Sequence, residues 1–493
     1  MSVSGKVTYD FVPAIYNPST RSGTLAFAQV TEKPVRNAVV QARQGSNVLG
    51  TTNTDEQGNY QLSFTAGSTG AVTIVALAKS SNPTIQVEDN TDADAIWGIG
   101  DTVSSGTTTK NLRATHGWNG SSYDAAKRTA APFAILDSMY TAAKGFMAVR
   151  QVSFPALRVN WSPDNVPQSG DKKQGFIGTS HYAFGDKEIY ILGKTGVDTD
   201  EFDSHVIVHE WGHYFEDGLS RSDSPGGPHS AGDVLDPRIA FGEGYGNAIA
   251  AMLLPESIYT DTAWGSSSSG PPGAFGFDAE TAPSPTDDPT PSVFSEYSVL
   301  RLLYDLYDSG SNESSFDTVA LGLGPIYDVL VGPQKTTEGM TTIGSFITGL
   351  KAQPGVNVNA VNTLLNRYSM GPITTAFGDG DSKLRDMYTN VTAYPFSRSI
   401  FLDGGLDSNK WGQNQYYVFT GNGSRMTITA NSASDVAIAA YQKGVRVGQA
   451  DENLTGTETF NFMSQPDVRY VLVVTGFEEQ SGEYAVSISI KSP

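Results

Sequence analysis

The segment His209-Glu210-Trp211-Gly212-His213 constrains this chain more than any other part of its sequence. On an α-helix, residues four positions apart lie one above the other, so His209 and His213 project from one face. Two neutral imidazoles at that spacing can both reach one Zn²⁺ at about 2.0–2.1 Å. The carboxylate of Glu210 is then close enough to take a proton from a water whose pKa the metal lowers to about 7. The pattern predicts a helix that carries a catalytic zinc site.

The flanking residues predict where this helix begins and ends. Asp203 or Ser204 can act as the N-cap, and Gly218 supplies a stop after roughly four turns. The segment Val206-Ile207-Val208 consists of β-branched residues, which are weak helix formers. We therefore expect tertiary burial, and not intrinsic propensity, to hold this segment helical.

A third metal ligand is expected downstream, in Phe241-Gly242-Glu243-Gly244-Tyr245-Gly246-Asn247-Ala248, which opens an apolar helical run. Glu243 is expected in the first turn of that helix, facing the cleft. Asn247 follows four residues later and shares its face.

The combination of HExxH with Gly-Glu-Gly-aromatic-x-Asn resembles the glutamate-zincins, the thermolysin-like clan of metallopeptidases. Within that clan the chain is most similar to the fungalysin-type enzymes, because Ser220-Arg221 and Gly226-Gly227-Pro228 also match the segment between their two zinc helices. The resemblance is strong over about residues 205–250 and thin elsewhere.

This resemblance implies a fold and a set of site residues. The fold is an α+β zincin-type catalytic domain with a helical lobe. Zn²⁺ is held by His209, His213 and Glu243, with Glu210 as general base. Asn247 stands where the family usually has an Asp that orients a zinc-bound imidazole. Asn can accept from an imidazole N–H but brings no charge, so we expect a somewhat lower metal affinity.

A second departure concerns the oxyanion. Thermolysin-like enzymes stabilise it with a later His, and this chain has no His after His229. Another donor is then required, and a Tyr on the helix predicted over Ser295–Tyr307 is the first candidate. Tyr297 is preferred and Tyr304 is second. The alternative, that these Tyr residues only pack, is equally open.

Two further His residues each allow two interpretations. His205 shares the face of His209 and either competes for the metal or is buried and hydrogen-bonded to backbone, which is favoured. His229 lies in a loop and either swings into the cleft or stays solvated, which is favoured. A metzincin site is excluded by spacing, because Glu216 and Leu219 replace its Gly and third His.

The strand predicted over Glu188–Leu192 comes just before the zinc helix. In the resembled clan such a strand edges the cleft and pairs with an extended substrate. His181 and Tyr182 lie before it and are expected to line the cleft.

Composition limits the classes of partner. The chain has 493 residues, which suggests three or four domains, and a formal net charge of −20. That charge argues against binding to nucleic acid or anionic membranes. Cys is absent, which excludes disulfides and a thiol nucleophile. No apolar run of about 18 residues and no signal peptide are found. We expect a secreted or cell-surface bacterial monomer whose signal has been removed.

Patterning predicts a multidomain chain. Period-two alternation over 1–82, with segments Pro34–Val40 and Thr54–Tyr60, resembles a carboxypeptidase-regulatory-like, transthyretin-like β-sandwich. Residues 399–493 resemble the bacterial pre-peptidase C-terminal domain, also a β-sandwich, where Trp411, Tyr416 and Tyr417 either form a binding face or pack. The remaining predicted parts are a connecting segment over 83–128, the zincin-like domain over 129–398, and a long loop over 255–292 within it.

Two acidic stretches are weak candidates for Ca²⁺ sites. One is Asp89–Asp94, and the other is the glycine-rich Phe377–Asp386 with Asp379, Asp381 and Asp386. A solvated loop is the favoured interpretation of the first stretch.

Two functions follow from these features. The first is a secreted zinc metalloendopeptidase that acts on a protein or glycoprotein. The second is a surface adhesion or binding protein whose zinc site is degenerate, as the Asn247 substitution and the missing late His suggest.

Overall fold

The computed structural model describes residues 1–67, 70–265, 270–281, 285, 287–310, 316–378, 381 and 387–492. Within them the chain is rich in β-strands, which form several separate sheets, as the sequence predicts. The chain divides into two compact units: Met1–Gly218 with Ile249–Ala279, and Leu219–Ala248 with Glu280–Pro493. None of the described helices combines the length and apolar character that crossing a membrane requires.

The first unit contains helices α1 (Ala131–Val149) and α2 (Ser204–Leu219). Its strands are β1 (Ser2–Phe11), β2 (Ala14–Asn17), β3 (Ser22–Leu25), β4 (Thr31–Pro34), β5 (Ala38–Gln44), β6 (Asn47–Asn53), β7 (Asn59–Ser63), β8 (Val72–Ser81), β9 (Thr84–Asp89), β10 (Ala95–Ile96), β11 (Gly98–Val103), β12 (Leu112–Ala114), β13 (Leu157–Trp161), β14 (His181–Ala183), β15 (Glu188–Ile191), β16 (Gly193–Lys194), β17 (Asp198–Thr199), β18 (Ile258–Ala263) and β19 (Gly273–Asp278).

Among the described residues of this unit the strands form three sheets. The largest has the order β14-β15-β13-β9-β8-β5-β6, with β10 on β9 and β11 on β8. A second has the order β12-β1-β4, with β7 also paired to β1, and the third has the order β16-β17-β18-β19-β3-β2. The apolar run of β8 lies between β5 and β9, where alternate side chains are buried. This alternating burial suits an antiparallel strand that packs one face on the core.

The observed sheets differ from the predicted domain boundaries. The strands of residues 1–82 are not a separate sandwich, because β9 pairs with β8 on one side and with β13 on the other. The segment 83–128 carries strands β9 to β12 and is more than a connection. The 255–292 segment, predicted as a long loop, contains the antiparallel pair β18–β19. The turn-forming residues in these segments predict loops. The strands form because they pair with distant segments, and local composition does not indicate such pairing.

The second unit contains most of helix α3 (Pro237–Leu253), which passes into the first unit after residue 248. It also contains α4 (Glu296–Tyr307), α5 (Leu323–Val329), α6 (Ile343–Lys351) and α7 (Val358–Arg367), and strands β20 (Tyr388–Val391), β21 (Phe396–Gly404), β22 (Asn414–Thr420), β23 (Arg425–Ser432), β24 (Val436–Gln442), β25 (Val445–Ala450), β26 (Gly456–Met463), β27 (Arg469–Gly476) and β28 (Gly482–Lys491).

The described C-terminal strands form a β-sandwich, as the alternating pattern predicts. One sheet has the order β20-β22-β27-β24-β25 and the other β21-β28-β23-β26. Apolar side chains from both sheets fill a common core, for example Ile438 and Leu472 from the first and Ile428 and Ile488 from the second. The sandwich begins at Tyr388, earlier than the predicted residue 399.

The three aromatic residues predicted either to bind or to pack, Trp411, Tyr416 and Tyr417, pack against other side chains. Tyr416 and Tyr417 are fully buried. The hydroxyl of Tyr416 donates to Oδ1 of Asp236 at 2.6 Å, and the ring of Trp411 stacks on Phe294 with centroids 4.6 Å apart.

Candidate metal centre

Helix α2 places the two imidazoles of the motif together in the first unit. Nε2 of His209 and Nε2 of His213 lie 3.1 Å apart, and both side chains are buried. Two nitrogens on one tetrahedral zinc, each about 2.0–2.1 Å from the metal, are roughly 3.4 Å apart. The pair therefore has nearly the spacing that a shared metal ion requires.

Burial holds this helix, as its weak helix formers predict. Val206, Ile207 and Val208 are all buried. The ring of Phe215 stacks on Phe146 with centroids 4.6 Å apart, and Trp211 packs against the same ring at 5.9 Å. These aromatic contacts bind α2 to α1 and fix the direction of the face that carries the imidazoles.

Helix α2 begins directly after Asp203, one of the two residues predicted as its N-cap. The backbone N–H of Ile207 bonds the carbonyl of Asp203, so Asp203 is the residue from which the helix starts. Its carboxylate does not cap the helix: Oδ2 accepts from the N–H and the hydroxyl of Thr262, both at 2.8 Å.

The general-base candidate, Glu210, is held from the side by a strand. Its Oε2 accepts a 2.8 Å hydrogen bond from the backbone N–H of Tyr182, and the carboxylate is buried. Tyr182 lies in β14. Its hydroxyl donates a hydrogen bond to Oδ2 of Asp217 at 2.7 Å. Burial, reinforced by Asp217, raises the pKa of the Tyr182 phenol, so this side chain stays neutral. Sequence reasoning placed Tyr182 near the cleft without finding this bond.

The predicted edge strand is not an edge. Strand β15 pairs with β13 on one side and with β14 on the other, so β14 is the last strand of this sheet among the described residues. The outward N–H of Tyr182 on that strand is already bonded to Glu210. The other candidate on β14, His181, stacks on Tyr190 with ring centroids 5.3 Å apart.

His205 adopts the favoured one of its two predicted roles. Its Nε2 lies 3.0 Å from the backbone carbonyl of Glu256. Burial lowers the pKa of His205 to about 4, although the bond to Glu256 opposes the shift. The imidazole is therefore neutral and acts as a structural donor.

In the second unit, Glu243 lies on α3 and contacts an imidazole. Nε2 of His229 is 3.2 Å from Oε2 of Glu243, and its Nδ1 is 2.7 Å from Oε2 of Glu296. Burial lowers the pKa of His229, but the two carboxylates outweigh it and raise the pKa to about 11. The prediction of a solvated, unengaged His229 was wrong. The sequence signal that was missed is Glu296, in the first turn of α4.

The remaining predicted residues lie on two helices of this unit. Asn247 is buried one turn after Glu243 on α3. Tyr297 and Tyr304 lie on α4, half-buried. The guanidinium of Arg301 is 5.3 Å from the ring centroid of Tyr297, and Tyr304 packs beside Tyr307 with centroids 5.9 Å apart. The role of Tyr297 at the oxyanion stays a prediction.

Among the described residues of the first unit, Asp198, Asp200 and Asp261 form a group of side chains that is suited to a metal ion. The imidazoles of His209 and His213 in the same unit supply two nitrogens at a spacing that fits one zinc ion. A catalytic zinc has three protein ligands and a coordination position left for water. That Glu243 is the third ligand stays a prediction.

Three carboxylates of the predicted Ca²⁺ stretches, those of Asp89, Asp94 and Asp381, have partners within the protein. Oδ1 of Asp89 accepts from the N–H and hydroxyl of Thr91, and Asp94 pairs with Arg158 at 3.3 Å. Asp381 accepts from Thr374 at 2.7 and 2.6 Å. Asp379 and Asp386 lie outside the described residues.

Comparison with known proteins adds little to this geometry. No protein-family description matches the chain, and no curated protein matches it. Part of the chain is weakly similar in fold to the pre-peptidase C-terminal domain of a collagenase from Bacillus anthracis, with 14% identity over 21% of this chain and 93% of that chain and a TM-score of 0.17. A 5-hydroxyisourate hydrolase from Klebsiella pneumoniae matches with 15% identity over 22% of this chain and 88% of that chain, with a TM-score of 0.11. These likenesses carry no conclusion about activity.

Proposed function

We propose that this protein is a zinc-dependent metallopeptidase that hydrolyses peptide bonds in protein or glycoprotein substrates. The observation that carries the proposal is the pair of buried Nε2 atoms of His209 and His213, 3.1 Å apart, with the carboxylate of Glu210 one residue away and oriented by a backbone N–H. Glu243 is the third ligand in the proposal. This donor set fits Zn²⁺, which would polarise the scissile carbonyl and lower the pKa of the attacking water.

Glu210 performs the proton transfers in this mechanism. Its carboxylate takes a proton from the attacking water and passes it to the leaving amine. The N–H of Tyr182 binds one oxygen, Oε2, so that the carboxylate cannot rotate freely about its side-chain bonds. Its burial strengthens the electrostatic interaction of the carboxylate with the reacting groups.

His229 and Glu296 act on Glu243 as positioning residues. The imidazole of His229 bridges the two carboxylates, 3.2 Å from Glu243 and 2.7 Å from Glu296. Metal-binding carboxylates are generally fixed by such outer hydrogen bonds. The bridge restrains the side chain of Glu243 through its Oε2 atom.

The deciding experiment replaces Glu210 by Gln, which preserves shape and removes the base. The E210Q variant is expected to retain zinc, measured by elemental analysis, and to lose at least about a hundredfold of its activity on denatured casein. A matched control is Glu479→Gln, the same change at an exposed position. Full activity in E210Q would reject the assignment. Cleavage of neither casein nor a mucin-type glycoprotein by the zinc-loaded wild type would favour the adhesion protein.

A further inference from the structure

A second cluster of carboxylates lies in the first unit, where the chain enters helix α2. Asp198 is in β17, and β17 pairs with β18 through Asp198 and Ala263. Asp200 and Asp203 follow in the turn that leads into α2, and Asp261 comes from β18. The ligand oxygens of Asp198, Asp200 and Asp261 lie within 4.8 Å of one another.

The negative charge of this cluster is not balanced by the basic side chains beside it. Arg128 is bound to Glu201, with hydrogen bonds of 3.0 and 2.5 Å. Lys194, which is opposite Asp198 in the sheet register, bonds Asp164 at 2.8 Å. Asp200 and Asp203 are 3% and 0% exposed, so water does not compensate them. A buried carboxylate without a partner is strongly unfavourable.

Orphaned oxygens within the cluster are an independent sign of a ligand. Among the described residues, Oδ1 of Asp198, Asp200 and Asp203 is buried without any hydrogen bond. The other oxygens are held in place: Ser180 donates to Oδ2 of Asp200 at 2.5 Å, and Thr262 donates twice to Oδ2 of Asp203 at 2.8 Å. The carboxylates of Asp200 and Asp203 are thus each held by hydrogen bonds to Oδ2, while Oδ1 has no hydrogen-bond donor.

We propose that Asp198, Asp200, Asp203 and Asp261 bind a divalent cation, and that Ca²⁺ is the ion that fits best. An all-oxygen set of carboxylates suits hard cations and not Zn²⁺. Oxygens on opposite sides of Ca²⁺, at 2.3–2.6 Å each, are roughly 4.6–5.2 Å apart. The ligand oxygens of Asp198, Asp200 and Asp261, which all lie within 4.8 Å of one another, can therefore reach one such ion. Mg²⁺ usually keeps several waters and is bound by only one or two carboxylates, so a buried set of several carboxylates favours Ca²⁺.

This site would fix the beginning of the helix that carries the imidazoles. Asp203 is the residue from which α2 starts, and Asp261 belongs to the strand packed beside it. A cation bound to both joins β17, β18 and the first turn of α2. The inference does not depend on the proposed peptidase activity.

The test is a Ca²⁺ titration of the full chain after removal of metals with a chelator. Isothermal calorimetry is expected to show about one saturable Ca²⁺ site. The melting temperature is expected to rise by about 5 °C at a Ca²⁺ concentration near 100 times Kd. MgCl₂ is titrated in parallel and is expected to bind more weakly.

Substitutions locate the site. Asp198→Asn and Asp261→Asn change half-buried ligands with little change in shape and are expected to weaken Ca²⁺ binding at least about tenfold. Asp451→Asn, at an exposed position, is the control and should bind as wild type does. Absence of a calorimetric signal and of a melting shift in wild type would overturn the proposal, even if a variant failed to fold. Unchanged affinity in both folded variants would also overturn it. The E210Q variant should bind Ca²⁺ normally, which separates this result from failure of the peptidase proposal.

Discussion

The backbone N–H of Tyr182 donates a 2.8 Å hydrogen bond to the side chain of Glu210. The two residues lie on different elements, the end strand of a sheet and the helix of the HExxH motif. A backbone donor is more rigid than a side chain, because the sheet fixes its position. The carboxylate proposed as general base is therefore held by the scaffold itself.

Removal of this N–H should impair the proton transfers of Glu210. Tyr182→Pro lacks the donor, and Pro is tolerated on an end strand whose N–H does not serve the ladder. We expect at least a tenfold loss of kcat on casein with zinc content unchanged. Tyr182→Phe keeps the N–H and loses only the bond to Asp217, so it should retain most activity. Equal losses in both variants would contradict this role.

Glu296 should influence zinc affinity through His229. Glu296→Gln weakens the bridge between His229 and Glu243, and loss of such outer contacts typically costs 10- to 100-fold in metal affinity. The zinc Kd, measured by competition with a chelating dye, is expected to rise by about that factor. Glu338→Gln, at an exposed position, is the matched control. An unaltered zinc Kd in the Glu296 variant would show that Glu296, acting through His229, does not position Glu243.

His205 should make the protein sensitive to mild acid. Its pKa is lowered to about 4 in the folded state by burial, below the ordinary value of 6.5. Between these values the unfolded chain binds a proton that the folded chain does not, so stability is lost as pH falls from about 6.5 to 4. The loss attributable to this residue is about 3 kcal/mol.

The check compares urea unfolding of wild type and His205→Asn at pH 7 and pH 4.5. Asn can still donate to the carbonyl of Glu256 but does not titrate. Between pH 7 and pH 4.5 the free energy of unfolding should fall more for the wild type than for His205→Asn. A gap independent of pH would show that His205 is not held neutral by burial.

The stacked aromatic residues should determine the stability of helix α2. Phe215 is fully buried, and its ring centroid is 4.6 Å from that of Phe146. Phe215→Ala should reduce the free energy of unfolding by about 3–5 kcal/mol, because it leaves a cavity between the helices. Phe401→Ala removes the same side chain at a position that is 65% exposed and should cost less than about 0.5 kcal/mol. Denaturant titrations of both variants measure the difference.

The sequence alone determined the features that depend on local periodicity. The four-residue spacing of His209 and His213 places them on one face of any α-helix, and the structure has that helix over Ser204–Leu219. The alternation of Val486, Ile488 and Ile490 likewise predicts the C-terminal sheets, because side chains on a strand point to opposite faces with a period of two. These periods are properties of the backbone and need no knowledge of distant residues.

Tertiary structure alone decided which distant groups meet. The bond between Tyr182 and Glu210, the insertion of β9 between β8 and β13, and the joining of Asp203 to Thr262 all link segments far apart in sequence. The contact of His229 with Glu296 also links distant segments. Because of it, the imidazole bridges two carboxylates and is not solvated as the sequence predicts. Such pairings depend on the packing of the whole unit. The local sequence allows many possible partners for each strand edge and each buried carboxylate, and it does not distinguish between them. Periodicity identifies the faces, and only the folded chain selects their neighbours.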